Sequence, residues 1–381
     1  MSEATPLGVY VHWPYCARIC PYCDFNVYKT REIDASRWAN ALTRDLEHWA
    51  EHTRDRKLTS LYFGGGTPSL APVSVIEHVI KTCERLWGFA LDPEITMEAN
   101  PTDAERSRFQ EFSDAGVNRL SLGVQSLRDD ALKFLGRDHD AASARRAIQT
   151  AQKIFRRTTF DLIYARPKQT LADWREELTE ALSLGVTHLS LYQLTIEPST
   201  AFGMQVKAGR WMPADDNICA DQFDLAQEIT AAAGLPAYEI SNHAAPDNQS
   251  RHNLIYWRYQ DYIGVGPGAH GRLPLNGKRT AIETFLKPEE YLSQVEATRT
   301  GASLREPLDA EAQLTERLAM GLRLHEGMTL YADDTFYADD ARVKRLERAI
   351  EDGFLTHQCG RLTATPTGRR LLNRLLYELL G

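Results

Sequence analysis

No run of apolar side chains reaches the roughly 18–20 residues that a membrane-crossing helix needs. Basic residues are not in surplus: 44 Lys and Arg stand against 52 Asp and Glu, a formal net charge of -8 over 381 residues. That excludes a chain that is basic overall and grips nucleic acid through a general positive field, so no nucleic-acid partner is expected. Cysteine is scarce, at six residues, which is no disulfide framework of a small secreted domain. The opening Met-Ser-Glu-Ala-Thr-Pro has no basic start and no apolar stretch of its own, and a cytoplasmic location is the expectation. A hydrophobic share of 43% and a charged share of 25% also exclude a disordered or collagen-like chain. The length suits one large domain with a smaller companion.

Short apolar runs alternate with helical patterns as far as about residue 196. The spacing predicts strands at 8–12, 60–63, 94–98, 119–124, 158–164 and 188–194. Between the first two, Trp38, Leu42, Leu46 and Trp49 share one helix face, with Asp34 or Ser36 as the cap. Such alternation predicts a parallel sheet with right-handed crossovers. Gly116 to Leu122 and Gly185 to Leu191 echo each other, each ending a helix and opening a strand. A repeated βα unit suits a barrel, although an open doubly wound sheet could carry the same echo. Later come a helix over 217–232, a strand at 237–240, and a polar, aromatic and Gly-rich stretch to about 272. The last seventy or so residues read as helix, helix, hairpin, helix: Leu314, Leu318 and Leu322 mark the first helix, Val343, Leu346 and Ile350 the second, and Cys359-Gly360 the hairpin turn. That order suggests a small winged-helix-like α+β domain.

Three of the six cysteines are scattered (Cys83, Cys219, Cys359), and three are clustered in Cys16-Ala-Arg-Ile-Cys20-Pro-Tyr-Cys23. The cluster follows the first strand, where barrels build active sites. Thiolates at this spacing can converge on a soft metal centre. Zinc is one candidate, but it usually takes four ligands, with His12 the only near addition. Three thiolates with one open position suit a [4Fe-4S] cluster that keeps one iron free.

The Cys-x3-Cys-x2-Cys run, with the aromatic Tyr22 before its last member, resembles the signature of the radical S-adenosylmethionine (SAM) superfamily. The resemblance implies a partial (β/α)6 barrel, a [4Fe-4S] cluster on Cys16, Cys20 and Cys23, and SAM on the free iron. Gly64-Gly65-Gly66-Thr67-Pro68 resembles the segment that meets the SAM amino group; alone, such a run is an ordinary turn. Polar residues stand at further strand ends: Glu98, Gln125 and Asp161, with Arg137 beyond. Singly each is an ordinary solvated terminus; together they ring one barrel mouth. The runs around Tyr10, His12, Pro14 and Cys16, Gly123-Val124-Gln125-Ser126 and Asp161-Leu162-Ile163-Tyr164 narrow the resemblance to the oxygen-independent coproporphyrinogen III oxidase family, from about Tyr10 to His270. It implies SAM contacts at Tyr10, Gly65, Gly66, Thr67, Glu98, Gln125, Arg137 and Asp161, with Tyr22 beside SAM. One departure is Ala165-Arg166-Pro167, where the commoner pattern is Gly-Leu-Pro.

The oxidases carry a fourth cysteine two residues after the third, where this chain has Phe25. That absence, with Tyr192 to Pro198, Tyr238 to Asn242 and the His252-Asn253-Leu-Ile-Tyr256-Trp257 motif, resembles the HemW-type haem chaperone branch. The branch implies haem contact at His252, Asn253, Tyr256 and Trp257, delivery of haem to acceptor proteins, and a flavodoxin- or ferredoxin-like electron donor. Peripheral membrane contact and a monomer that dimerises are further expectations, and coproporphyrinogen dehydrogenase activity is not expected. Physically, a neutral imidazole can ligate haem iron and flat aromatics can cover a macrocycle. The alternative for this segment is an interdomain aromatic cluster with His252 hydrogen-bonded at its edge. For the protein, the alternatives are a radical SAM decarboxylase of coproporphyrinogen propionates and a zinc-stabilised scaffold. Residues 1–235 are expected to form the barrel, 236–305 a connecting segment with the motif, and 306–381 the C-terminal domain.

Overall fold

A computed structural model describes residues 6–331 and 333–380. Its first six strands are β1 (Leu7–Trp13), β2 (Leu58–Gly65), β3 (Phe89–Ala99), β4 (Arg119–Gln125), β5 (Arg157–Tyr164) and β6 (His188–Gln193), as the apolar runs predict. They pair in sequential order, all parallel. Each strand joins the same growing edge, so right-handed crossovers carry the helices to one face. The other face curls into an open-sided lumen. This is the barrel form of the repeat, because a doubly wound sheet would reverse its strand order at a switch point.

The crossover helices form for local reasons. In Ala35–Ala50, the Asp34 carboxylate accepts the Arg37 backbone N–H at 2.9 Å, and Trp38, Leu42, Leu46 and Trp49 are all buried. In Leu171–Ser183, Thr170 and Asp173 complete a capping box. Outward strand residues such as Leu120, Leu122 and Val124 are buried beneath helices, while Arg119, Ser121, Gly123 and Gln125 line the lumen side. The period of two thus separates an apolar face from a polar one, with both enclosed.

Beyond β6 the sheet departs from expectation. The strand predicted at 237–240 is a bend with one isolated bridge, Ala237 to His243. The buried Glu239 carboxylate accepts the Ser241 backbone N–H at 2.9 Å and the Asn242 amide at 2.5 Å. This local turn delays the strand to β7 (Asn242–Ala244), antiparallel to β6. The Gly-rich stretch is not loop alone. The strand β8 (Asp261–Val265) pairs parallel to β1, and β9 (His270–Leu275), β10 (Lys278–Thr284) and β11 (Ala302–Pro307) extend that edge antiparallel, to eleven strands. The helix Arg251–Trp257 closes the lumen from below, with Ser250 as its cap.

The C-terminal region has the winged-helix-like order: helix Ala310–Gly321, helix Asp340–Glu351, a three-stranded sheet of β12 (Met328–Thr329), β13 (Leu355–Gln358) and β14 (Arg361–Ala364), then helix Leu372–Leu380. Leu314, Leu318, Leu346, Leu362 and Leu375 form a core of its own. Among the described residues no helix is long and apolar enough to cross a membrane.

Candidate cofactor site

The cysteine loop leaves β1 and is tied back on itself. The Cys16 N–H donates to Tyr28 O at 3.0 Å, and the Tyr28 N–H donates to Pro14 O at 2.7 Å. Asn26 donates to Pro267 O at 3.0 Å and to Leu286 O at 2.8 Å, anchoring the loop to the turn before His270 and to the segment 285–287. The Gly-rich run packs directly beneath: the Gly66 N–H reaches Trp13 O at 2.7 Å, and the Thr67 N–H reaches Tyr15 O at 2.9 Å. A Cβ on Gly66 would lie 2.7 Å from Tyr15 O, and one on Gly65 would lie 2.6 Å from the His12 ring. These glycines are demanded by close approach, which an ordinary turn would not require.

Cys16, Cys20 and Cys23 border a cavity of about 350 Å³. Tyr22, Gly65, Gly66, Thr67, Glu98, Gln125, Arg137 and Asp161 line the same cavity. Tyr10 does not. It pairs in register with Tyr62, and its ring stands deeper in the lumen, beside the Tyr62 and His252 rings at 6.1 and 6.2 Å. Thr67 Oγ1 donates to Cys16 Sγ at 3.4 Å, and Arg137 Nη1 donates to Cys20 Sγ at 3.2 Å. Burial pushes the Cys16 thiol up to about 11 and raises Cys23 as well. Without metal these sulfurs hold their protons, which metal binding must release.

Burial also pushes Glu98 and Asp161 up to about 7 each. They face the cavity rather than bulk water. Tyr62 OH donates to Glu98 Oε1 at 2.8 Å. Gln125 ends β4 in the left-handed region (φ 69), and among the described residues neither its buried Oε1 nor Arg137 Nε has a hydrogen-bond partner. A strained backbone carrying an idle, buried acceptor at the cavity suits a ligand-binding group.

The donor set fits an iron–sulfur cluster. Three thiols on one loop border one cavity, and two of them accept hydrogen bonds from Thr67 and Arg137. A four-iron cube takes each thiolate on a different iron, so its ligands stand further apart than those of one zinc.

Below the cavity, the lumen continues as a second space of about 320 Å³ that shares Glu98, Ser121, Asp161 and Tyr192 with the first. His252, Asn253, Tyr256 and Trp257 form its floor. His252 is buried, and both ring nitrogens are engaged: Nδ1 with Ser60 Oγ at 2.8 Å and Nε2 with Tyr256 OH at 2.6 Å. Its ring stacks on Tyr62 at 4.9 Å, and burial lowers its pKa to about 3.

Two family models match this chain: the radical SAM superfamily over residues 10–181 and the HemN C-terminal domain over residues 308–371. The haem chaperone HemW of Escherichia coli strain K12 is 35% identical over 387 residues, covering 100% of both chains. The chain belongs to the radical SAM superfamily, in the HemW branch of its HemN-like family. HemW of Haemophilus influenzae is 38% identical over 77% of each chain. The mitochondrial radical S-adenosyl methionine domain-containing protein 1 of Danio rerio is 39% identical over 85% of this chain and 74% of its own. The solved structure of Escherichia coli coproporphyrinogen III oxidase (HemN) superposes with a TM-score of 0.81 over 99% of this chain and 90% of its own, at 22% identity, which establishes the fold.

In this HemW-branch chain Phe25 lies at the cavity mouth, 62% exposed, with Ile19 beside it. Sequence reasoning missed Asn100, which donates to Thr67 Oγ1 at 3.3 Å and accepts from Arg137. It also missed the lumen residues Arg119, His188 and Glu239. Counting alternate residues back from Gln125 reaches Arg119, and back from Tyr192 reaches His188. No such signal marks Glu239, which enters from the bend before β7.

Proposed function

We propose that this chain is a haem chaperone that carries a [4Fe-4S] cluster and SAM at the cysteine cavity and hands haem to acceptor proteins. The observation that carries the reading is the end-to-end kinship with Escherichia coli HemW; Phe25 in place of a fourth cysteine and the motif helix under the cofactor cavity support it. Cys16, Cys20 and Cys23 hold the cluster, and Thr67 and Arg137 donate hydrogen bonds to the sulfurs. Gly65, Gly66, Thr67, Glu98, Gln125, Arg137 and Asp161 hold SAM, and Tyr22 walls it. A cluster held by Cys16, Cys20 and Cys23 would supply one-electron reduction to SAM bound beside it, with the electron coming from the external donor protein. The chain's own residues bind the cofactors, orient them and exclude water. Tyr10 acts from the deeper layer, through the Tyr62 and His252 stack.

Asn253, Tyr256 and Trp257 provide haem contacts along the motif helix. His252, with both nitrogens engaged, holds Tyr256 in place. The protein works in the cytoplasm, as a monomer able to dimerise, with a flavodoxin- or ferredoxin-like electron donor and peripheral membrane contact where acceptors reside. Residues 1–235, 236–305 and 306–381 are its barrel, motif segment and C-terminal unit.

One paired assay tests this. Anaerobically purified protein should be brown, hold about four irons, and take up haem stoichiometrically. With coproporphyrinogen III, SAM and reductant it should form no protoporphyrinogen over many turnovers. Sustained turnover would establish the decarboxylase instead, and a colourless protein with one zinc would end both readings.

A further inference from the structure

The motif helix separates the lumen from a third cavity of about 360 Å³ on the side of the C-terminal domain. Its walls include Tyr256, Trp257, Tyr259 and Tyr262. Four histidines border the two spaces: His188 and His252 in the lumen, His12 and His270 in the third cavity.

Three of these imidazoles are fully engaged. His188 meets Thr159 Oγ1 at 2.6 Å and Tyr238 OH at 3.0 Å. His252 is held by Ser60 and Tyr256. His12 meets Tyr10 OH at 3.2 Å and Asn26 O at 3.0 Å. All three are buried. His270 differs. Its side chain is 54% exposed, neither ring nitrogen is hydrogen-bonded to a described residue, and Nδ1 lies 3.8 Å from Glu283 Oε1. Glu283 is its register partner across β9 and β10.

We propose that His270 supplies the imidazole that ligates the iron of a haem seated in this third cavity, an inference that rests on the haem-chaperone reading. A neutral imidazole needs one nitrogen for iron and an acceptor near the other to fix its tautomer. Glu283 is placed to be that acceptor, which leaves Nε2 for the metal. The four aromatic rings give the macrocycle apolar faces. The site is also tied to the cofactor loop: Asn26 donates to Pro267 O, and a Cβ on Gly268 would lie 2.6 Å from Asn26 Nδ2. The turn that leads into His270 therefore rests on the cysteine loop.

Haem is titrated into anaerobic, cluster-containing protein and followed by magnetic circular dichroism, which reads haem ligation beneath the cluster's own absorption. The natural protein should show imidazole-ligated haem. His270→Ala should weaken haem binding about tenfold or more and lose that signature, with iron and sulfide content unchanged. His270→Cys should convert the signature to thiolate ligation, which a merely structural role for His270 cannot produce. His252→Gln should keep the imidazole signature. If His270→Ala keeps it and His252→Gln loses it, His270 is overturned while the haem reading stands. If the natural protein takes up no haem, both fall.

Discussion

At the floor of the cofactor cavity, burial pushes Asp161 and Glu98 up to about 7; the Asp161 charge raises Glu98 further, while Ser190 and the Arg137 charge pull Asp161 back down in part. A carboxyl whose folded pKa lies above its unfolded value adds stability at low pH, and loses it as pH rises from about 4 to about 7. Above pH 7 both charges are present, and their hydrogen bonds and the Arg137 charge offset only part of the burial penalty. Asp161→Asn should therefore raise stability at pH 8 by on the order of 1 kcal/mol or more, and by less at pH 5.5, while SAM binding falls. Anaerobic denaturation at the two pH values checks this; equal effects would mean that Asp161 is not protonated in the folded protein. A second test lies at Ala165, which adopts φ 57 where the family's commoner pattern has glycine. Ala165→Gly should stabilise by about 0.5–1 kcal/mol. The neighbouring Arg166 is buried and donates to Glu177 Oε2 at 2.5 Å, to Ser126 Oγ at 3.0 Å and to Ile163 O at 3.1 Å. Arg166→Leu, although it restores the commoner residue, should cost about 3 kcal/mol or more by stranding the Glu177 charge; unchanged denaturation would show that Glu177 is compensated without it. Arg166 thus has a buried ion-pair partner in Glu177.

Among the elements, the cysteine loop and the Gly-rich end of β2 behave as one unit, since backbone bonds from Gly66 and Thr67 close on Trp13 and Tyr15. Gly66→Ala drives a methyl into two carbonyl oxygens, so it should reduce cluster iron severalfold even though it removes no ligand. Cys16→Ala, Cys20→Ala and Cys23→Ala should abolish the cluster, and Cys83→Ala, Cys219→Ala and Cys359→Ala should leave iron content unchanged. Full iron in Gly66→Ala would show that the loop adapts. The legibility of the elements follows the same physics. The six parallel strands announce themselves because both faces are enclosed and their outward residues are uniformly apolar, as in β4. The cysteines announce themselves because thiolate chemistry fixes their spacing. The edge strands do not: β11 has five of its six residues exposed, and β9 contains Pro274, so neither has a hydrophobic period to read. The shift of β7 was hidden because it depends on where the Glu239 carboxylate finds its donors. The sequence singles out His252 by its motif and His12 by its nearness to the cysteines, but only packing decides that both spend their nitrogens on neighbours while His270 does not.

For the whole molecule, what matters is how the C-terminal domain is held over the third cavity. That domain has an apolar core of its own, and many of its contacts with the motif segment are ionic. Arg272 meets Glu316 at 2.8 Å, Tyr259 OH donates to Glu316 at 2.7 Å, and Arg258 meets Glu326 at 2.9 Å. Arg323 lies 4.7 Å over the Trp257 ring and 3.6 Å from Glu239. A half-buried ionic seam is weaker than a packed apolar interface and is screened by salt. The proposed haem site between the two parts therefore predicts that this seam opens more readily when one of its charges is removed. Glu316→Gln removes the carboxylate that both Arg272 and Tyr259 share. The expected outcome is severalfold faster trypsin cleavage near the exposed Arg305 at low salt, with the natural protein approaching the variant's rate near 1 M NaCl. Haem affinity should fall in the same variant, because Glu316 and Arg272 line the cavity wall. Identical cleavage rates at every salt concentration would show that apolar packing alone seats the domain, and the cavity would then have to load its cargo without any opening of that seam.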